Sequence, residues 1–95
     1  MTAQQFSDCL HTPFQVRVSP TQHVPMHLIR VAERNDSPSL DQFSLIFRGP
    51  MTPVLPQATR EFLHERLGSL QLFMVPVGPD ESGICYEVVF NKLRK

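Results

Sequence analysis

The residues with the clearest potential for chemistry lie near the start of the chain, where Asp8, Cys9 and His11 are close in sequence. Nucleophilic catalysis uses a thiol beside a histidine whose ring is held by a third group. Neighbours one and two positions apart on a helix, however, do not face each other. Cys9 also falls on the apolar stripe of a predicted helix, so we expect its thiol to point inwards as an inert, small hydrophobic group. We expect the same of Cys85 in the last predicted strand, and we predict no catalytic residue.

The four histidines do not form a pattern that is typical of a metal site. His23 and His27 would lie together on a helix, but Pro25 between them favours an extended chain, where they are about 13 Å apart. A metal needs three or four ligands that converge within about 2.0–2.3 Å of the ion. His11 and His64 have no other ligand at a suitable spacing, so we expect neither a metal nor another cofactor.

The charged residues of the predicted strands and turns favour structural roles. We expect Arg48 and Glu87 to lie on faces that can form an ion pair. The alternative is a carboxylate with a raised pKa acting as a base, but no second carboxylate or electrophile is near in sequence. Residues 80–82 are acidic and polar, yet they lack the regular oxygen spacing of a calcium loop. We predict a solvated hairpin tip at this position.

Composition excludes several classes of partner. Nine basic residues balance nine acidic ones, so no field of one sign attracts nucleic acid or an anionic membrane. No apolar stretch approaches the roughly 20 residues of a membrane span, and residues 1–10 lack the basic start and apolar centre of a signal peptide. The four glycines are isolated turn residues rather than a phosphate-binding loop. We expect one cytoplasmic domain over residues 1–95, with Cys9 and Cys85 reduced.

Alternating apolar residues predict a mainly β fold. We expect about six to seven antiparallel strands over residues 13–91, forming a small barrel or curled sheet. A short helix over 2–10 precedes them, with Thr2 and Gln5 forming a capping box, and residues 92–95 form a basic tail. We expect the apolar stripe of the helix to plug an open end of the core.

Several details of the strands follow from the same pattern. The apolar run 67–78 predicts a central strand that is buried on both faces. Arg30 is expected on the same face as Met26 and Leu28, and the polar segment 34–41 is the best candidate for a mobile loop. Six phenylalanines are assigned to core packing: Phe14, Phe43, Phe47, Phe62, Phe73 and Phe90.

Residues 58–67 admit two interpretations. Local propensity favours an amphipathic helix with Gly68 as its C-terminal cap. The short distance to the next strand and the preceding prolines favour a strand that enters a hairpin turn at 65–68.

Four phrases of the sequence stand out: FSLIFRGP at 43–50, LPQ at 55–57, LG at 67–68 followed by LFMVPVG at 72–78, and YEVVFN at 86–91. In this order they resemble a family of short bacterial proteins known only as a domain of unknown function, over nearly the whole chain. The resemblance implies the hairpin for 58–67, because the family has a strand before a leucine–glycine turn there. It brings no catalytic residue. Some members occur near phage-tail-like genes, which implies an accessory or assembly role.

The leading hypothesis is a non-enzymatic binding or assembly module whose partner is a protein, with no contact to nucleic acid or membrane. The expected contact surfaces are the edge near Pro25 and the loop 50–57, where apolar area can be exposed. The candidate contact residues are Val24, Met26, Met51, Val54 and Leu55. The alternative is a small ligand carrier or enzyme with a pocket at the barrel mouth. Its candidate lining residues are Arg48, His64 and Tyr86.

Overall fold

The structure is a computed structural model that describes residues 2–34 and 40–93. One short helix precedes six strands: α1 (Ala3–Ser7), β1 (Pro13–Ser19), β2 (Gln22–Arg34), β3 (Leu40–Gly49), β4 (Ala58–His64), β5 (Gly68–Pro79) and β6 (Ile84–Leu93). The strands are antiparallel and close into a barrel in the order β1-β2-β3-β6-β5-β4. The predicted fold, a small antiparallel barrel with an N-terminal helix, is confirmed. Among the described residues, no helix has the length and apolar character needed to cross a membrane.

Residues 58–67 form the predicted hairpin and not the amphipathic helix. β4 pairs with β5 from Ala58 opposite Met74 to His64 opposite Gly68. Gly68 has a φ of 76° at the start of β5, a conformation that glycine adopts without steric cost. Pairing with neighbouring strands therefore overrides the helix propensity of this segment.

The prediction that β5 is a central strand buried on both faces is wrong. In a closed barrel every strand has two neighbours and one face that points outwards. Leu72 and Met74 face the core, whereas Phe73 between them is 53% exposed. Phe73 therefore does not belong to the core, although the other five phenylalanines of the predicted set contribute to it.

A β-bulge in β2 overturns the predicted faces of that strand. Leu28 pairs with Phe47, and the next pair is Arg30 with Ile46, so one residue of β2 has no partner opposite. An extra residue shifts the alternation by one position. Arg30 is consequently exposed, and Val31 packs against the core in its place.

One end of the barrel is closed by α1. The predicted capping box is present, since Thr2 accepts a hydrogen bond from the backbone of Gln5 and the Gln5 side chain accepts from the Thr2 backbone. Phe6 is fully buried, with its ring centroid 6.0 Å from that of Phe43 and 5.4 Å from that of Phe90. The expectation that the apolar stripe of the helix plugs the core is confirmed, although the helix is shorter than 2–10.

The opposite end is closed by the loop 50–57, which follows the end of β3. Leu55 is buried, and its backbone N–H donates a 2.9 Å hydrogen bond to the hydroxyl of Tyr86. Between the two ends, the ring of Phe47 lies 5.0 Å from the rings of both Phe14 and Phe62. Aromatic and aliphatic side chains thus fill the barrel.

Two predictions concern the boundaries of the elements. β6 continues to Leu93, so the first half of the predicted basic tail 92–95 belongs to a strand. The centre of the polar loop 34–41, residues 35–39, lies outside the described residues.

Candidate functional site

An apolar surface lies on the outside of the barrel, on β5, β6 and β3. We call it the outer apolar face, and it consists of Ile46, Phe73, Val75, Val77 and Val89. Phe73, Val77 and Val89 are 53%, 54% and 56% exposed. Alternation along β5 directs Phe73 and Val75 outwards, because Leu72 and Met74 face inwards. Val77 lies at a register shift, between the pairs of Pro76 with Tyr86 and of Gly78 with Cys85.

Glu87 lies in the middle of the outer apolar face. It pairs with Val75 on one side and with Ile46 on the other, and it is half-buried. No basic side chain in the described parts of the chain forms an ion pair with it. A carboxylate that is covered without a partner loses hydration at a large free-energy cost. A molecule that covers this face must therefore bring a cation or hydrogen-bond donors to Glu87.

The predicted pairing of Arg48 with Glu87 is wrong, because Arg48 pairs with Asp80. The Arg48 Nε atom donates a 2.8 Å hydrogen bond to Asp80 Oδ2. Asp80 also accepts the backbone N–H groups of Ser82 and Gly83, at 2.8 and 3.0 Å. The guanidinium, followed by the Ser82 amide, lowers the pKa of Asp80 to about 2. The 80–83 turn is therefore held by its own carboxylate, and its tip residues Glu81 and Ser82 are exposed, as predicted.

The two cysteines differ in their surroundings: Cys9 lies in the turn after α1, and Cys85 lies on β6. Cys9 is 1% exposed, as predicted, but Cys85 is half-buried on the outer side. The Cys85 Sγ lies 3.5 Å from Asp80 Oδ2, and burial together with this carboxylate raises the pKa of the thiol. Both cysteines are free, and a raised pKa opposes nucleophilic reactivity at Cys85.

His64 is the buried polar residue at the α1 end of the barrel. Its Nδ1 atom accepts the backbone N–H groups of Arg66 and Leu67, at 3.0 and 3.3 Å. The Thr12 hydroxyl donates its proton to the Cys9 carbonyl oxygen. Thr12 Oγ1 therefore accepts a hydrogen bond from the His64 Nε2–H, and the two heavy atoms are 2.8 Å apart. Every contact fits the neutral ring with its proton on Nε2. Burial first, and then the charge of Arg66, lower the pKa of His64, while Glu65 opposes the shift.

We expect the free energy of unfolding to fall with pH below about 6.5, the ordinary pKa of histidine. The folded protein holds His64 neutral, whereas the unfolded chain takes up a proton, so the stabilisation present above this pH is lost as the pH falls through the lowered pKa. Urea denaturation between about pH 7 and pH 5 measures the decline. His64→Asn keeps an acceptor for the 66–67 amides without titrating, and should flatten the profile.

Replacement of the exposed His23 by glutamine is the control for that experiment. His23 makes no contact with the 64–67 turn in the described structure, so the decline should persist in His23→Gln. If the free energy of unfolding depends on pH identically in the unmodified protein and in His64→Asn, the decline is not caused by His64.

The structure does not bring the predicted pocket residues Arg48, His64 and Tyr86 together. Arg48 points outwards to Asp80, His64 lies beside α1, and Tyr86 holds the loop at the other end. Each side chain satisfies its own structural contact, and both barrel ends are closed. These three residues therefore do not line a common pocket at a barrel mouth in the described structure.

The predicted contact residues are divided between the core and the surface. Met26 and Leu55 are buried, so they cannot supply exposed contact area, and that part of the prediction is wrong. Val24 is half-buried, whereas Met51 and Val54 are 48% and 57% exposed. Sequence reasoning missed the outer apolar face.

Within residues 2–34 and 40–93, no three histidine, cysteine or acidic side chains are grouped so that they could hold a metal ion.

Comparison with known proteins identifies a family but no activity. No curated protein matches the chain, and no solved structure matches it either. Residues 1–90 match the family described as domain of unknown function (DUF6916), and the chain therefore belongs to this family.

Proposed function

We propose that this domain is a non-enzymatic binding module that joins a protein partner within a larger assembly. The observation that carries the proposal is the outer apolar face, where Phe73, Val77 and Val89 are each more than half exposed on adjoining strands. Apolar side chains clustered outside a filled core are typical of an interaction surface. Aromatic and aliphatic groups of this kind provide most of the binding free energy of protein interfaces.

Glu87 defines the chemistry of the partner. It lies between its strand partners Val75 on β5 and Ile46 on β3, where a docked surface would remove its remaining water. A partner that is apolar around one lysine or arginine fits this face, because the cation compensates the lost hydration of the carboxylate. The same pairing sets the orientation of the two surfaces.

The free cysteines are consistent with action in a reducing compartment, and we propose the bacterial cytoplasm. We also propose that the domain is an accessory part of a phage-tail-like or other multi-protein assembly. This role is supported by an exposed face whose chemistry suits a protein partner.

A photo-cross-linking amino acid in place of Val77 tests the proposal in native lysate. We expect one discrete adduct with a different protein, attached close to a basic residue of that partner. Glu87→Lys should reduce the adduct by about tenfold or more, because two like charges then face each other. An acidic substitution of the partner's basic residue should restore the adduct with Glu87→Lys. Mass spectrometry identifies the attachment site.

The matched control places the same amino acid at Val54, which is equally exposed but lies on the loop 50–57. We expect no adduct from Val54. An adduct from Val54 alone, or one from Val77 that survives Glu87→Lys, would contradict the proposal. A cross-link only to a second copy of this chain would also contradict it, since the outer apolar face has no basic residue for Glu87.

A further inference from the structure

The barrel wall is weakly joined between β1 and β4. These strands pair at two positions, Gln15 with Leu63 and Val16 with Phe62. Beyond them lies an open groove of about 440 Å³, which we call the seam groove, lined by residues 17–20, 59–61 and Gln71. It borders the outer apolar face where Thr59 pairs with Phe73 but shares no residue with it, and an inference about it does not depend on the proposed protein partner.

One side of the seam groove carries an ion pair that is already satisfied. Arg17 Nε lies 3.3 Å from Glu61 Oε1, and the Ser69 hydroxyl donates a 2.8 Å hydrogen bond to Glu61 Oε2. The negative charge of Glu61 is thus compensated within the protein. Arg60 then remains as the uncompensated charge of the groove.

Arg60 has donors that the described structure does not use. Its Nη2 makes one long contact, 3.4 Å to the Pro56 carbonyl oxygen. Its Nε is buried without an acceptor in the described residues, and no carboxylate there pairs with it. A buried donor without an acceptor destabilises the fold. The guanidinium of Arg48, by contrast, is paired with Asp80.

We propose that the seam groove binds a small molecule through an oxyanion, a carboxylate or a phosphate, held by the guanidinium of Arg60. A guanidinium presents parallel N–H groups that match two oxygens of such an anion. Ser19, Thr59 and Gln71 line the same groove and supply neutral hydrogen-bond donors. An anion in the groove that reached the Nε–Nη edge would give Nε the acceptor that it lacks.

Thermal unfolding of the full chain tests this site with two probes, inorganic phosphate and succinate, each against sodium chloride at equal ionic strength. At least one probe should raise the unfolding temperature in a saturable way, as a ligand of the folded state does. The probe that acts identifies the oxyanion as phosphate or carboxylate. Backbone amide shifts of residues 59–61 and Ser19 should follow the same saturation curve. Equal effects of probe and sodium chloride would overturn the proposal.

Arg60→Met is the deciding variant, because it keeps the length of the side chain and removes the donors. It should abolish the response to the probe without lowering the unfolding temperature in its absence. Arg30→Met, at an exposed site on β2, should keep the full response. A marked loss of stability in Arg60→Met without probe would make Arg60 structural and overturn the proposal. If that variant does not fold, Arg60→Lys should weaken probe binding by about tenfold, since lysine lacks the paired N–H groups of a guanidinium. Unchanged binding in Arg60→Lys would overturn the proposal.

Discussion

Phe47→Ala is expected to lower the free energy of unfolding by about 3–5 kcal/mol. Phe47 is fully buried at the middle of the barrel. Its ring lies 5.0 Å from those of Phe14 and Phe62, so its removal leaves a cavity between side chains on β1 and β4. Because the barrel is closed, the surrounding strands cannot collapse easily into the space. Urea denaturation followed by circular dichroism measures the change. If the variant does not fold, Phe47→Leu should cost about 1–2 kcal/mol.

Phe73→Ala is the matched control, since it makes the same chemical change on another strand. Phe73 is 53% exposed on the outer apolar face, and its truncation should cost less than about 1 kcal/mol. Equal losses at Phe47 and Phe73 would show that β5 is buried on both faces and would contradict the closed barrel.

Tyr86→Phe is expected to lower the free energy of unfolding by about 1–3 kcal/mol. The change removes only the hydroxyl that accepts the Leu55 N–H at 2.9 Å, and it leaves a buried backbone donor without an acceptor. We therefore expect the loop 50–57 to open more often at that end of the barrel. Amide hydrogen exchange of Leu55 should accelerate more than exchange at the pairs of β3 with β6 near the α1 end, such as Phe43 with Phe90.

Ser69→Ala supplies the control for the loss of a hydroxyl. Ser69 donates to Glu61 at an exposed site, where removal of one hydrogen bond should cost less than about 0.5 kcal/mol. If Leu55 exchanges at the same rate in Tyr86→Phe as in Ser69→Ala, the Tyr86 hydroxyl does not hold the loop.

Tyr86 and His64 have related roles at opposite ends of the barrel. Each is a polar side chain on an inward position of a strand. Tyr86 accepts the Leu55 amide of the loop that closes its end, and His64 accepts the Arg66 and Leu67 amides of the turn between β4 and β5. A polar residue among apolar ones indicates an inward hydrogen-bonding role, and both residues belong to the predicted pocket set. The hydrogen-bond partners of both side chains include backbone amides of the protein itself. A polar residue at an inward position therefore does not by itself distinguish a ligand site from a structural hydrogen bond.

The strands and the helix cap were predictable because they depend on local chemistry. Alternation of apolar residues indicates an extended chain without reference to the rest of the fold. Thr2 and Gln5 form a capping box by themselves, since their contacts span three residues. For residues 58–67 local chemistry favoured helix, and the resemblance to a family was needed to choose the hairpin.

The candidate site was less predictable, although one signal was present. Gln71 shares a face of β5 with Phe73, and a glutamine on that face indicates solvent, so Phe73 could have been recognised as exposed. No comparable signal identifies Arg60 as a residue with unused donors, because its neighbours across the seam groove are distant in sequence.

By itself the sequence determined which residues are extended, where the chain turns, and that aromatic and aliphatic side chains fill one core. Only the tertiary structure decided which face of each strand points inwards and which charges meet. The physical reason is that alternation defines two faces but does not say which one the closed barrel encloses. A single bulge after Leu28 exchanges the faces of β2. In the same way, the partner of Arg48 depends on strand register and on the turn at Asp80, which are set by packing across the whole barrel.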